Sequence, residues 1–159
     1  MITVWVDADS CPKMVREYLS SYTEKLSLQL YFVANHQIPQ NVVHSNFKMI
    51  VCQKESQAAD DYIVNNAQKF DMVITRDIPL ADRLVNKNIT VINDRGTLYT
   101  KENIKQRLSE RDFNLQLAQI GLCGTKKSYY GKKEFSDFAN CFDKEIHALL
   151  RNERLTLTE

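Results

Sequence analysis

The run Ile2-Thr3-Val4-Trp5-Val6 is short and largely apolar, and it halts on Asp7-Ala8-Asp9-Ser10-Cys11-Pro12. A brief apolar run closed by polar residues fits a strand buried on both faces of a parallel sheet. Pro12 suits the first turn of a helix, and Met14, Val15, Tyr18, Leu19 and Tyr22 then recur at helical spacing. A strand passing into a helix through a carboxylate-bearing turn opens a β/α alternation, and the rest of the chain continues it.

Residues 28–34 read as a second strand, residues 35–46 as a polar loop holding Pro39, and residues 47–52 as a third strand. Ser56 is placed to cap a helix reaching about Lys69, with Ala59, Tyr62, Ile63, Ala67 and Phe70 on one side. Asp71-Met72-Val73-Ile74-Thr75 is a fourth strand, Pro79 opens a short helix through about Lys87, and residues 89–92 form a fifth strand. Asp94-Arg95-Gly96 marks a turn. Leu98-Tyr99 extends briefly before a helix over about residues 101–119. Residues 121–133 hold three of the four glycines and read as a mobile loop. The last helix carries Phe135, Phe138, Ala139, Phe142, Ile146 and Leu149 on one stripe that should close over the core. The expectation is a single α/β domain over residues 1–152, a three-layer α/β/α fold with a mostly parallel sheet of about five strands, and a frayed tail over residues 153–159.

The 159 residues are enough for one buried core, and 43% hydrophobic with 26% charged content is ordinary for a soluble globular protein. A net charge of +1 argues against a uniformly basic nucleic-acid binder but leaves room for a local patch. No basic n-region precedes the first strand, and no apolar run approaches membrane-spanning length, so a cytoplasmic protein without membrane contact is expected. Cys11, Cys52, Cys123 and Cys141 show no C-x-x-C spacing, and His36, His44 and His147 lie far from them. That pattern disfavours a zinc finger and fits reduced structural thiols.

In α/β sheets ligands bind outside the carboxyl ends of the strands. Asp7 and Asp9 follow the first strand, Asp77 follows the fourth, and Asp60 and Asp61 open the helix between them. Three separate segments thus send aspartates to one sheet edge. Gathered carboxylates repel, so some must protonate or meet a cation. Hard oxygen donors suit Mg²⁺ or Mn²⁺, which polarise phosphoryl oxygens and lower the pKa of water. Each aspartate also has a structural role open to it: Asp9 or Ser10 as a cap for the first helix, Asp60 and Asp61 at a helix N-terminus, and Asp77 as a cap before Pro79.

Trp5-Val6-Asp7-Ala8-Asp9-Ser10-Cys11-Pro12, Val33-Ala34-Asn35, Ala59-Asp60-Asp61 and Thr75-Arg76-Asp77-Ile78-Pro79-Leu80-Ala81 resemble the bacterial YaiI/YqxD family of uncharacterised proteins. The likeness continues through Asn93-Asp94-Arg95-Gly96, Tyr99-Thr100, Arg107-Leu108 and Arg111-Asp112-Phe113. That family is usually grouped with PIN-like domains, which are commonly Mg²⁺- or Mn²⁺-dependent ribonucleases. The resemblance implies Asp7, Asp60 and Asp77 as catalytic and metal-holding residues; in a metal-dependent nuclease Asp9 and Asp61 would serve as outer ligands or water-orienting groups. It supplies no clear fourth acid; Asp82 and Asp94 are candidates. Leu122-Cys123-Gly124-Thr125 only loosely resembles the family's Gly-Gly-Pro loop.

Substrate contacts are sought around this edge. Arg76 and Arg95 sit beside strand ends, placed either for phosphate or to balance the acids. Asn35 follows the second strand and Ser10 the first. Lys126, Lys127, Lys132 and Lys133 interleave with Tyr129 and Tyr130, a pattern suited to phosphates and stacked bases, although a solvated loop is the default reading for it. RNA or another nucleic acid is the expected partner, and self-association is left open. Two other functions compete. One is a nucleic-acid- or nucleotide-binding module without chemistry. The other is a phosphatase using Asp7 and Asp9 as a D-x-D pair with Thr75 as its hydroxyl, disfavoured because no lysine and late acidic motif follow in order. Dinucleotide and P-loop sites are disfavoured, since no glycine follows the first strand.

Overall fold

The computed structural model describes residues 1–39, 45–55, 57–122 and 129–159. Ser56 as a cap, His44, Cys123, and Lys126 and Lys127 as phosphate contacts lie outside these residues.

In chain order the elements are β1 (Thr3–Asp7), α1 (Lys13–Lys25), β2 (Gln29–Ala34), β3 (Phe47–Val51), α2 (Ala58–Asn66), β4 (Met72–Ile74), α3 (Ile78–Asn86), β5 (Thr90–Ile92), β6 (Leu98–Tyr99), α4 (Lys101–Gln119) and α5 (Lys132–Leu157). The strands form one six-stranded sheet in the order β3-β2-β1-β4-β5-β6. All pairings are parallel except β5 with β6. The sheet thus has one strand more than expected. Its extra strand exists because the turn at Asp94-Arg95-Gly96 folds Leu98-Tyr99 back onto β5. Asn93 Oδ1 accepts from the amides of Arg95 and Thr97, and Gly96 takes φ +82 with the Asp137 carbonyl 2.4 Å from where a Cβ would stand.

Strand alternation builds the three layers. Val4, Val6, Leu30, Phe32, Met72, Ile74 and Ile92 point to one face, where they meet Val15 and Leu19 of α1 and Phe138, Phe142 and Ile146 of α5. Trp5, Val33, Val73 and Val91 point to the other, against Ile63 of α2, Leu80 and Leu84 of α3 and Ile104 of α4. The final helix closes the first face as its aromatic stripe implies. It runs on through Leu157, so residues 153–157 of the tail expected to fray are helical, and Glu153 pairs with the N-terminal ammonium at 3.2 Å. Lys132 and Lys133 begin this helix instead of ending a loop, with Gly131 at its N-cap. No helix among the described residues is long and apolar enough to cross a membrane.

The chain builds the sheet outward from β1 to β3, then returns to the other side of β1 and builds outward again. The order reverses between β1 and β4, which is where a crevice opens at the strand ends.

Candidate functional site

Trp5 lies in the second core, so Asp7, two residues on, continues to the face carrying α2 and α3. Thr75 follows Val73 in the same way on the neighbouring strand. Thr75 Oγ1 therefore donates to Asp7 Oδ2 at 2.9 Å, and the same oxygen accepts from the Asp77 amide at 3.0 Å. Asp77 is the N-cap of α3, its Oδ1 accepting from the Leu80 amide at 3.0 Å, with Pro79 in the first turn. The structural role foreseen for Asp77 is thus real. It occupies one oxygen, and among the described residues nothing is hydrogen-bonded to the other.

Asp60 lies in the first turn of α2 and completes the group electrostatically. Burial, then the charges of Asp77 and Asp7, push its carboxyl up to about 7 against the opposing pull of Arg83. Burial likewise pushes Asp7 up to about 6; Asp77 and Asp9 add to the rise, while hydrogen bonds from Thr75 and Ser10 oppose it. Asp60 thus feels Asp77 and Asp7, and Asp7 feels Asp77. They do not close into a ligand cage: among the described residues no three His, Cys, Asp or Glu side chains gather at ion-holding distance.

Asp7 and Asp77 form the floor of an open cleft of about 390 Å³, with Ser10, Arg76, Ile78 and Arg111 around them. Its donors are hard oxygens, which fits Mg²⁺ or Mn²⁺, ions that need only one or two carboxylates from protein when water and a phosphate fill the remaining positions.

The other predicted residues divide. Ser10 and Arg76 reach the cleft. Arg76 is held there by Asp94, with Nε 2.5 Å from Oδ2, and Asp94 is 2% exposed. Asp94 is accordingly the counter-ion of Arg76, and among the described residues its Oδ1 has no partner. Asp9 is occupied elsewhere, accepting from the Asn35 amide at 3.0 Å and lying 3.0 Å from His36 Nδ1. Among the described residues, Asn35 Oδ1 is buried without a partner. Asp61 pairs with Arg83 at 2.9 Å. Arg95 turns to the Tyr129 carbonyl and stacks over the Tyr130 ring, and it lines a separate groove with Asp137 and Lys144. Lys133 pairs with Asp137 along α5. Asp82 lies within α3, beyond the cap that positions Asp77.

Two residues take roles at the site that were not foreseen, Thr75 having been weighed only as a phosphatase hydroxyl. Arg111 enters the cleft from α4, and Thr75 serves as the bridge between Asp7 and Asp77. The signal for Arg111 was its place in the Arg111-Asp112-Phe113 segment that carries the family resemblance, which assigned it no role.

A family model described as an uncharacterized BCR, YaiI/YqxD family, matches residues 5–148. A UPF0178 protein of Treponema denticola is 43% identical over 152 residues, covering 96% of each chain. One of Treponema pallidum is 43% identical over 153 residues, covering 96% of this chain and 86% of its own. A third, of Psychromonas ingrahamii, is 39% identical over 143 residues, 90% of this chain and 94% of its own. No solved structure matches. With the match spanning nearly the whole fold, the site carboxylates included, this chain belongs to the YaiI/YqxD family of bacterial proteins.

Proposed function

We propose that the cleft is a divalent-cation-dependent phosphodiesterase site of PIN-like type, acting on nucleic acid in the cytoplasm, with RNA the first substrate to test. One observation carries this reading: Asp7, Asp60 and Asp77, from three elements, are electrostatically coupled at the point where the strand order reverses, and two of them are driven toward neutrality. A cation relieves that repulsion.

Asp7 and Asp77 would hold the ion. When bound, it supplies charge to a phosphoryl oxygen and acidifies a water. The chain's own residues do the rest. Asp60, whose carboxyl feels those of Asp77 and Asp7, would accept a proton from that water. Thr75 keeps Asp7 oriented, Asp94 keeps Arg76 extended into the cleft, and the Arg76 guanidinium can meet a phosphate. The D-x-D phosphatase loses ground, because Asp9 is engaged by Asn35 and His36.

Incubation of labelled single-stranded and structured RNA with Mn²⁺ or Mg²⁺ tests the reading. Cleavage should require the ion, disappear in Asp7→Asn and Asp77→Asn, and fall about 10²–10⁴-fold in Asp60→Asn. Mn²⁺ should also raise wild-type thermal stability, by about 2.7 kcal/mol at a hundredfold excess over its Kd, and leave Asp77→Asn unmoved. Cleavage persisting in both Asn variants refutes the assignment. The lack of a closed ligand cage among the described residues favours one second reading, a nucleic-acid-binding module without chemistry. That reading requires binding to survive Asp7→Asn with no cleavage under any ion.

A further inference from the structure

The cleft does not end at its acidic floor. A second open hollow of about 330 Å³ adjoins it, sharing Ile78 and Arg111 and lined further by Arg107, Glu110, Asn114 and Leu115. Positions 107, 111, 114 and 115 follow one another on a single stripe of α4. Beyond Ile104, α4 buries almost nothing, so this stripe has no role in the core. Its charges are also largely unspent. Among the described residues Arg111 ion-pairs only with its neighbour Asp112, at 3.7 Å, and Arg107 makes no ion pair. Glu110, the acid in the hollow, is turned along the helix by Gln106 Nε2 at 3.2 Å.

An acidic floor beside two arginines one helical turn apart, about 6 Å along the axis, is an arrangement for a chain with phosphates at regular intervals. A small phosphorylated molecule would need only the first hollow. Arg107 and Arg111 each offer a planar fork to a phosphate, Asn114 offers an amide, and Ile78 and Leu115 offer apolar surface to a base or sugar. We infer that the α4 stripe Arg107–Arg111–Asn114–Leu115 is a backbone track that feeds single-stranded nucleic acid into the acidic cleft. This rests on the phosphodiesterase reading for its destination, but binding along α4 is independent of catalysis.

The test therefore measures binding without turnover. Fluorescence anisotropy of a labelled single-stranded RNA, and of the same sequence as DNA, is followed in EDTA across a salt series with the full chain. Arg107→Ala and Arg111→Ala should each weaken binding and each flatten the slope of log K against log salt by about 0.7, the value of one lost single-strand phosphate contact. Arg111→Lys should restore the slope, and Lys25→Ala, at the end of α1 on the far edge of the sheet, should leave it unchanged. Asp7→Asn should retain binding, so that a chain that binds but never cleaves removes the nuclease and keeps the track. Slopes equal to wild type in both Ala variants, no binding of either strand, or tighter binding of a blunt duplex would each overturn it. Both arginines are exposed, and melting curves confirm that the variants are folded.

Discussion

Two buried aspartates stand at opposite edges of the same pair of strands, and each reaches across 68 residues of sequence to make its contact. Asp71, just before β4, sits at the amino edge. Its Oδ1 accepts from the Thr3 amide at 2.9 Å, and its Oδ2 accepts from Trp5 Nε1 at 3.0 Å and the Gln68 amide at 2.9 Å. Asp7, at the carboxyl edge of β1, is buried to a similar degree, but only the Thr75 hydroxyl and, more weakly, that of Ser10 act on it as donors, and it faces other carboxylates. Burial of a carboxylate does not by itself mark function. What separates the two is whether donors satisfy the charge or further charges aggravate it.

The sharpest way to break this contrast is to remove both groups and compare signs. Asp71→Ala strands the Thr3 and Gln68 amides and the Trp5 indole, at the place where β1 and β4 first pair. It should cost on the order of 3–5 kcal/mol in urea unfolding. A loss below about 1 kcal/mol would mean that Asp71 is not the clamp its geometry describes.

Asp7→Asn should act in the opposite direction. Its folded pKa of about 6 exceeds the ordinary 3.8, so between these values the folded state holds the extra proton. The stability this contributes is complete below about pH 4 and is lost as pH rises through 6; Asp60, raised further, extends the decline toward pH 7. In EDTA at pH 7.5 the Asn variant, relieved of a buried repelled charge, should be about 1–3 kcal/mol more stable than wild type, with the gap closing by pH 4. Melting temperatures across pH 4–8 provide the check. A variant less stable than wild type at pH 7.5 would show that Asp7, like Asp71, is satisfied where it stands.

The same contrast explains what the sequence disclosed. Strand ends carry their side chains in a direction fixed by alternation, so Asp7 and Asp77 are legible once Trp5 and Val73 are assigned to a strand. Their meeting follows from sheet order. Asp71 reads as the opening residue of a strand, because nothing in local spacing reveals bonds to residues 66 and 68 positions away. The diversion of Asp9 to Asn35 and His36, and of Asp94 to Arg76, depends equally on contacts between distant segments. Arg111 was obscured for another reason. Most of α4 is polar on every side, so no periodicity indicates which of its faces looks into the cleft.

Thr75→Val probes the smallest difference between the two edges, the main hydroxyl donor that Asp7 has where Asp71 has two amides and an indole. Valine nearly keeps the shape but removes the donor to Asp7 and the acceptor for the Asp77 amide. The cost should be about 1 kcal/mol, since the orphaned amide lies at a part-buried helix start that water can reach. The more telling effect is on titration. Without the Thr75 bond, which lowers its pKa, the Asp7 carboxyl should rise further, and the pH at which Mn²⁺ begins to stabilise the protein should rise with it. If that onset stays where it is in wild type, Thr75 is a packing residue, and the order imposed on Asp7 comes from the cleft's other walls.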